Sequence, residues 1–376
     1  MMQSGAGGAG ETAMPVKREM MVRRADLTQT AINETLVSEP REGEALLEVE
    51  AFAVTANNVT YAVVGDQLGY WNFFPAPESW GIVPVWGHAR VIASRHPDIA
   101  VGERVYGYLP MASHLIVQPG KVAADGFRDM AAHRQPMNAI YNQYRRLVAD
   151  PAHDPQREDA RMLFAPLFTT SFLIGDQLRR QDWYGADTVI LTSASSKTAL
   201  AAAYVARADS PGIRRIGLTG MTNIAFVEAT GLYDEVIAYD GIADEQNGLA
   251  IEGSAVLVDF AGNGDLLRDI HGLLPGQIAH TLRVGVTHHD EPRDTGDLAG
   301  PAPVWFFAPD AATALIGAIG PAAFDAALAE RWAGFVAEAG RWTTVERGVG
   351  AEALQRVWRD QLAGRASPGM GYVLRL

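Results

Sequence analysis

The sequence predicts an α/β protein in which a doubly wound parallel sheet is joined to a second, β-rich domain. Three observations carry that expectation. From Val189 onward, short apolar runs alternate with amphipathic stretches of helical length. Residues 16–122 instead alternate at period two between turn residues. Residues 188–206 pass from an apolar run through small polar residues into an alanine-rich helix. The first pattern belongs to parallel strands covered on both faces by helices, and the second to half-buried strands. The third is a strand–turn–helix unit whose backbone N–H groups and helix N-terminus suit a phosphate.

Composition narrows the function classes. The chain has 376 residues, 48% hydrophobic and 20% charged, enough to bury sizeable cores without cross-links. Cysteine is absent, which excludes disulfides, zinc–thiolate sites and a cysteine nucleophile and fits a cytoplasmic protein. A formal net charge of −13 argues against nucleic acid as a partner, since that needs a basic face. No apolar run approaches the roughly 20 residues that span a bilayer, so no membrane partner is expected either. Residues 1–15 read as a Gly/Ala/Ser-rich leader without the apolar core of a signal peptide.

Taken in order, strands are expected over 44–54, 83–93, 102–108 and 113–119. Residues 123–159, polar and punctuated by Pro136, Asn138, Pro151 and Pro155, read as an insertion or lid. Helical periodicity over 164–179 leads to the strand at Val189 and the helix 197–207. Strands 213–218, 235–239, 255–260 and 278–286 follow, with helices 223–230 and 265–274 between them. The division is then a substrate domain over 16–164 and a dinucleotide-binding domain over 165–310. Residues 311–376, mostly amphipathic helix with a closing strand at 369–376, would return to the first domain.

The turn after Leu191 holds the most chemistry. In a dinucleotide fingerprint, glycines permit a tight turn and close approach of the backbone to pyrophosphate. Here Ser193, Ala194, Ser195 and Ser196 fill the turn, and Lys197 and Thr198 open the helix. Serine hydroxyls would replace some backbone contacts, and Lys197 would set a cation beside the phosphates. The other reading of the same residues is a serine-rich turn capping a core helix. Ser196-Lys-Thr198 also echoes a P-loop without its glycines. Ser195, followed along the chain by Asp259 and by His280, His288 and His289, gives the residue order of an α/β-hydrolase, although Lys197 crowds such an elbow. At the end of the next strand, Gly217–Asn223 offers no carboxylate for a ribose diol. That permits a 2′-phosphate, with Thr219, Thr222 and Asn223 as donors, and makes NADP(H) the expected cofactor.

The order of these elements resembles the medium-chain dehydrogenase/reductase superfamily, above all its zinc-free quinone oxidoreductase-like and enoyl reductase-like members. The residues that carry the likeness are Gly87-His-Ala89, Val101–Gly107, Leu167–Ser171, the turn above, Thr230–Tyr239 and Val258–Gly264. The variant turn and Gly65–Pro75 resemble a poorly characterised branch of it, a domain-of-unknown-function family. The resemblance implies a Rossmann domain beside a groES-like substrate domain, subunits that pair as homodimers, and cofactor contacts reaching Tyr239, Phe260 and Gly262. It implies hydride transfer to or from a carbonyl or activated double bond of an apolar or aromatic small molecule. His88 stands where the zinc-dependent alcohol dehydrogenases place a ligand, but Ala89 follows it and the cysteine ligands are missing. A catalytic zinc needs three protein ligands, so no metal is expected and His88 reads as a packed or hydrogen-bonded core histidine.

Without zinc, another group must supply the proton. Tyr61 is expected to do so, since Ala56–Tyr61 resembles the superfamily's active-site loop, with Asn57, Asn58 and Thr60 as orienting donors. Tyr70, Trp71, Phe73 and Phe74 crowd one loop and are expected to wall an apolar substrate pocket, the alternative being a satellite hydrophobic cluster. Trp305–Asp310 would add a second wall, and His288-His289 a contact near the nicotinamide. Two other classes stay open: a hydrolase using Ser195, and a dinucleotide-binding protein with a sensor or non-redox lyase role.

Overall fold

The computed structural model describes residues 15–244, 246, 248–284 and 298–376. The leader up to residue 14 and the pair His288-His289 lie outside the described residues. The later half of the chain forms a six-stranded sheet in the order Glu235–Ala238, Arg214–Thr219, Thr188–Leu191, Ala255–Asp259, Ile278–Arg283, Val304–Trp305. All its pairs are parallel. Helices on both faces bury the central strand completely, which explains its unbroken apolar run. The chain leaves Thr188–Leu191 first to one side and then to the other. The order therefore reverses between that strand and Ala255–Asp259, where open α/β sheets form a crevice at the strands' carboxyl ends. The fold is the Rossmann arrangement with a β-rich partner domain.

The partner is built on a nine-stranded sheet around Ala45–Val54, Pro84–Ser94 and Arg104–Pro110. The terminal strand Met370–Arg375 pairs antiparallel with Ala45–Val54 and parallel with Thr344–Val349. Residues 123–146 are not an irregular lid. Strands Pro119–Ala123, Gly126–Asp129 and Gln143–Arg146 extend the same sheet. Buried Arg134 holds them together, donating to Asp129 Oδ2 at 3.0 Å, Tyr144 Oη at 2.9 Å and Asn142 Oδ1 at 2.9 Å. The prolines and polar residues hid this hub, because its strands are short and its stabilising contacts are ionic.

Along Pro84–Ser94 the side chains alternate as a pleated strand requires. Val85, Ala89 and Val91 enter the core of the β-rich domain with Val105 and Leu109. Trp86 and His88 lie on the opposite face, in register with Tyr108 and Tyr106. Helix Glu158–Arg180 begins a turn and a half before the apolar periodicity does. Its Leu163, Phe164 and Phe168 share one cluster with Ala53, Tyr106 and Val373 of the β-rich domain and with Ala201 and Val205 of the helix after the turn. This helix thus joins the two sheets. Among the described residues no single helix is long and apolar enough to cross a membrane.

Candidate active site

The serine turn is closed by its own groups. Ser193 sits at φ +51°, a left-handed conformation that usually calls for glycine. Its N–H donates to Tyr239 Oη at 2.8 Å, and the Ser196 N–H donates to Ser193 O at 2.7 Å. Ser196 Oγ caps helix Lys197–Asp209 by accepting from the Ala199 N–H at 3.2 Å. Ser195 Oγ accepts from Asn223 Nδ2 at 3.2 Å and from Thr219 Oγ1 at 3.3 Å. Buried Ala194 can come this close to the next strand because Gly217 has no side chain. A Cβ there would stand 2.9 Å from that of Ala194.

Across the crevice Thr192 Oγ1 donates to Asp259 Oδ1 at 2.8 Å and accepts from the N–H groups of Phe260 and Ala261 at 2.9 and 3.0 Å. Asp259 Oδ1 also takes the Gly262 N–H at 3.0 Å. Burial pushes the Asp259 carboxyl up. The fold thereby gathers Ser193, Ala194, Ser195, Ser196, Thr219, Asn223, Tyr239, Phe260 and Gly262 at one rim of the sheet. Thr198 follows Lys197 in the first turn of the helix, its carbonyl accepting from Ser171 Oγ at 2.8 Å.

Lys197 requires a correction. Its Nζ donates to Met370 O at 3.0 Å and Pro368 O at 3.5 Å, so it ties the helix to the terminal strand of the other sheet. Burial pushes its pKa down to about 8. The lysine is a link between domains, and the turn holds its shape without a cation.

The second part of the site is a cleft lined by Ala53, Asn57, Trp86, Leu163, Pro166 and Leu167. Asn57 and Tyr61 come from helix Ala56–Val63. Asn58 starts that helix, its Oδ1 accepting from the Thr55 N–H at 2.7 Å and its Nδ2 donating to Pro84 O at 2.9 Å. Asn58 is therefore held by the backbone, and both Asn57 and Asn58 line the cleft. The buried Tyr61 ring stacks on Tyr70 with centroids 4.5 Å apart and meets Tyr108 edge-on at 5.8 Å. Trp86, Asn57 and Tyr108 face its hydroxyl, yet Trp86 Nε1 and Tyr108 Oη have no hydrogen-bond partner among the described residues. Burial raises the Tyr61 pKa above its ordinary value, so the phenol keeps its proton.

Of the four loop aromatics only Tyr70 reaches Tyr61. It also meets Tyr141, hydroxyl to hydroxyl, at 3.4 Å. Trp71 fills the space left by Gly65 and Gly81, at either of which a Cβ would approach its ring to 2.2 Å. Phe73 and Phe74 are buried beneath the Arg134 guanidinium. Trp71, Phe73 and Phe74 are core residues, and the pocket-wall reading is corrected for these three. Trp305 and Phe307 are exposed and do not line the cleft. Trp86 and Tyr108 were missed, although a large ring with a polar tip at same-face positions of neighbouring strands was a usable signal.

His88 is buried as expected but not hydrogen-bonded, since neither ring nitrogen has a partner among the described residues. Burial pushes its pKa down to about 3, leaving it neutral. Among the described residues, which leave out His288 and His289, the hydrolase order finds no geometry. Ser195 Oγ meets Thr219 and Asn223, Asp259 is bound to Thr192, and His280 stacks on Tyr184 with ring centroids 4.0 Å apart.

Solved structures share this fold over nearly their full lengths. CurA from Vibrio vulnificus in complex with NADPH is similar over 95% of this chain and 98% of that one, at 16% identity and a TM-score of 0.59. S. aureus TarJ in complex with NADPH is similar over 96% and 99%, at 11% identity and 0.54. The quinone oxidoreductase from Coxiella burnetii is similar over 96% and 100%, at 13% identity and 0.52. No curated protein matches the chain by sequence. A family model described as a protein of unknown function, DUF2855, matches residues 52–367. That match takes in most of both sheets and the helix between them, and the chain belongs to the DUF2855 family, which here has the medium-chain dehydrogenase/reductase fold.

Proposed function

We propose that this protein is an NADP(H)-dependent oxidoreductase acting on a carbonyl or an activated double bond in an apolar, planar small molecule. One observation carries the reading. A turn with a left-handed serine lies at the reversal point of the parallel sheet, and the helix that packs on Ala201 and Val205 behind that turn also walls a cleft lined by Asn57 and Trp86, two of the groups that face the buried, protonated Tyr61 phenol. Three of the similar solved proteins bind NADPH or carry the name quinone oxidoreductase, which agrees with that reading.

In this proposal the backbone of Ser193–Ser196 and the N-terminus of helix Lys197–Asp209 take the pyrophosphate. Thr219 and Asn223 exchange their bonds to Ser195 for bonds to the 2′-phosphate, on a strand end without a carboxylate to repel it. When bound, the nicotinamide supplies or accepts the hydride. Asn57 and the Trp86 N–H orient the substrate oxygen, and Leu163 and Leu167 keep water from the reacting carbon. In the reductive direction Tyr61 Oη gives its proton to the oxygen or carbon that gains electron density, and water restores it between turnovers. The raised pKa suits a donor whose acceptor is itself strongly basic, such as an enolate or alkoxide.

The test is NADPH consumption with a panel of aryl enones, quinones and aryl ketones, using wild type and Tyr61→Phe. Turnover with at least one class, lost in the variant, supports the proposal. Tight NADPH binding with no turnover on any class overturns it and leaves the sensor reading.

A further inference from the structure

A second polar cluster lies on the same face of strand Pro84–Ser94, one pleat beyond Trp86, and the redox reading does not use it. His88 is 1% exposed, and both its ring nitrogens lack partners among the described residues. A buried imidazole with neither nitrogen bonded is costly unless something else takes the lone pair. His153, in the stretch before helix Glu158–Arg180, also has a buried, unpartnered Nδ1. Its Nε2 is 3.6 Å from Glu158 Oε1, and the His88 and His153 ring centroids are 6.4 Å apart. One ligand atom from each of His88, His153 and Glu158 lies within 4.8 Å of the others. A strand, a loop and the first residue of a helix thus deliver two imidazoles and a carboxylate to one point.

We propose that His88, His153 and Glu158 bind one divalent metal ion of the zinc type, with water in the fourth position. Imidazole and carboxylate ligands stand about 2.0–2.2 Å from zinc. Tetrahedral ligand atoms at that distance are roughly 3.4 Å apart, so closing the site takes about an ångström of movement, which rotation of His153 in its loop supplies. Glu158 stays available although Arg104 grips it, with Nη1 on Oε1 at 2.7 Å and Nη2 on Oε2 at 3.0 Å. Each carboxylate oxygen keeps a second lone pair, and an outer partner of this kind orients a ligating carboxylate. Arg104 and Arg90 share Glu50, and Arg161 pairs with Asp150, so Glu158 is the carboxylate that balances the third arginine before an ion enters. The ion would pin the stretch around His153 to the sheet where the linking helix begins.

The test uses untagged full-length protein, stripped with chelator and then reloaded with zinc or cobalt. The expected result is one zinc retained per chain after desalting, a higher melting temperature with zinc than without, and cobalt absorption bands of a nitrogen–oxygen ligand set. His153→Ala removes a half-buried loop residue and keeps the fold. It is expected to weaken zinc binding at least tenfold and abolish the melting shift, and His88→Asn to do the same. Failure of the wild type to retain zinc or gain stability overturns the site, and so does full zinc stoichiometry in His153→Ala. NADPH titration of the stripped protein reads the redox proposal separately, so the two can fail independently.

Discussion

The helix Glu158–Arg180 separates two polar regions that handle their hydrogen bonds in opposite ways. At the rim of the parallel sheet the turn is held by its own bonds, although Asp259 Oδ2 beside it is buried without a hydrogen-bond partner among the described residues. Ser195 is held by Asn223 and Thr219, Ser196 caps its helix, and Thr192 and Asp259 close on each other. On the facing side of the nine-stranded sheet, Trp86 Nε1, both nitrogens of His88 and the hydroxyls of Tyr106 and Tyr108 are buried without partners among the described residues. The first region can exist unchanged in the free protein and trade internal bonds for ligand bonds one by one. The second stores unmet bonding capacity, which is how a site prepares to hold something polar in an apolar setting. Rigidity is therefore concentrated at the cofactor rim, and chemical demand in the cleft and behind it.

The sharpest way to break this contrast is Tyr61→Phe. Removing the proton donor should lower kcat by about 10²–10³-fold while leaving NADPH affinity within about twofold, a split that steady-state kinetics and a binding titration resolve. Thr192→Val attacks the self-bonded side. It deprives Asp259 of a donor and the Phe260 N–H of its Thr192 acceptor, while the Ala261 N–H keeps Asp259 Oδ1, and should cost about 1–3 kcal/mol in denaturant unfolding. Tyr108→Phe makes the reverse point. Its hydroxyl is unpartnered, so its loss should leave stability unchanged or raise it by up to about 1 kcal/mol.

Lys197→Met is the most pH-sensitive of the four. In the folded chain the Lys197 pKa is lowered to about 8, whereas an unfolded lysine titrates near 10.4. Between these values the unfolded chain binds the extra proton, so wild-type stability should gain from Lys197 as pH rises through that window. The Met variant should lack that gain. Identical pH profiles for the two proteins would contradict the buried, bonded lysine.

Local chain chemistry was readable in advance and chain reversals were not. The strand at Thr188–Leu191, its turn and the following helix form one contiguous segment whose pattern states its conformation. The other residues of the rim then follow from the strand order of a doubly wound sheet. Lys197 was misplaced because its partners, Pro368 and Met370, lie far along the chain and are backbone carbonyls, which leave no mark in side-chain sequence. Residues 123–146 were misread for a related reason. Arg134 organises them through a buried ion pair, and a charged residue signals surface in any local pattern. Trp71, Phe73 and Phe74 were given to a pocket because density of aromatics alone cannot separate a wall from a core. The glycines at 65 and 81 decided the matter for Trp71. The trio His88, His153 and Glu158 needed the fold to bring it together, since a hydrogen-bonded core histidine and a ligand look alike in one dimension.

The idea that everything else rests on is that a serine turn held by its own bonds serves as a dinucleotide cradle. Calorimetric titration of the purified protein with NADPH, repeated on Ser193→Val, tests it most directly. A β-branched residue cannot hold the left-handed backbone of Ser193 without strain on the order of 1–3 kcal/mol. The account requires one NADPH site per chain in the wild type, weakened about tenfold or more in the variant. No measurable heat of binding in the wild type, or equal affinity in a folded Ser193→Val protein, would contradict it.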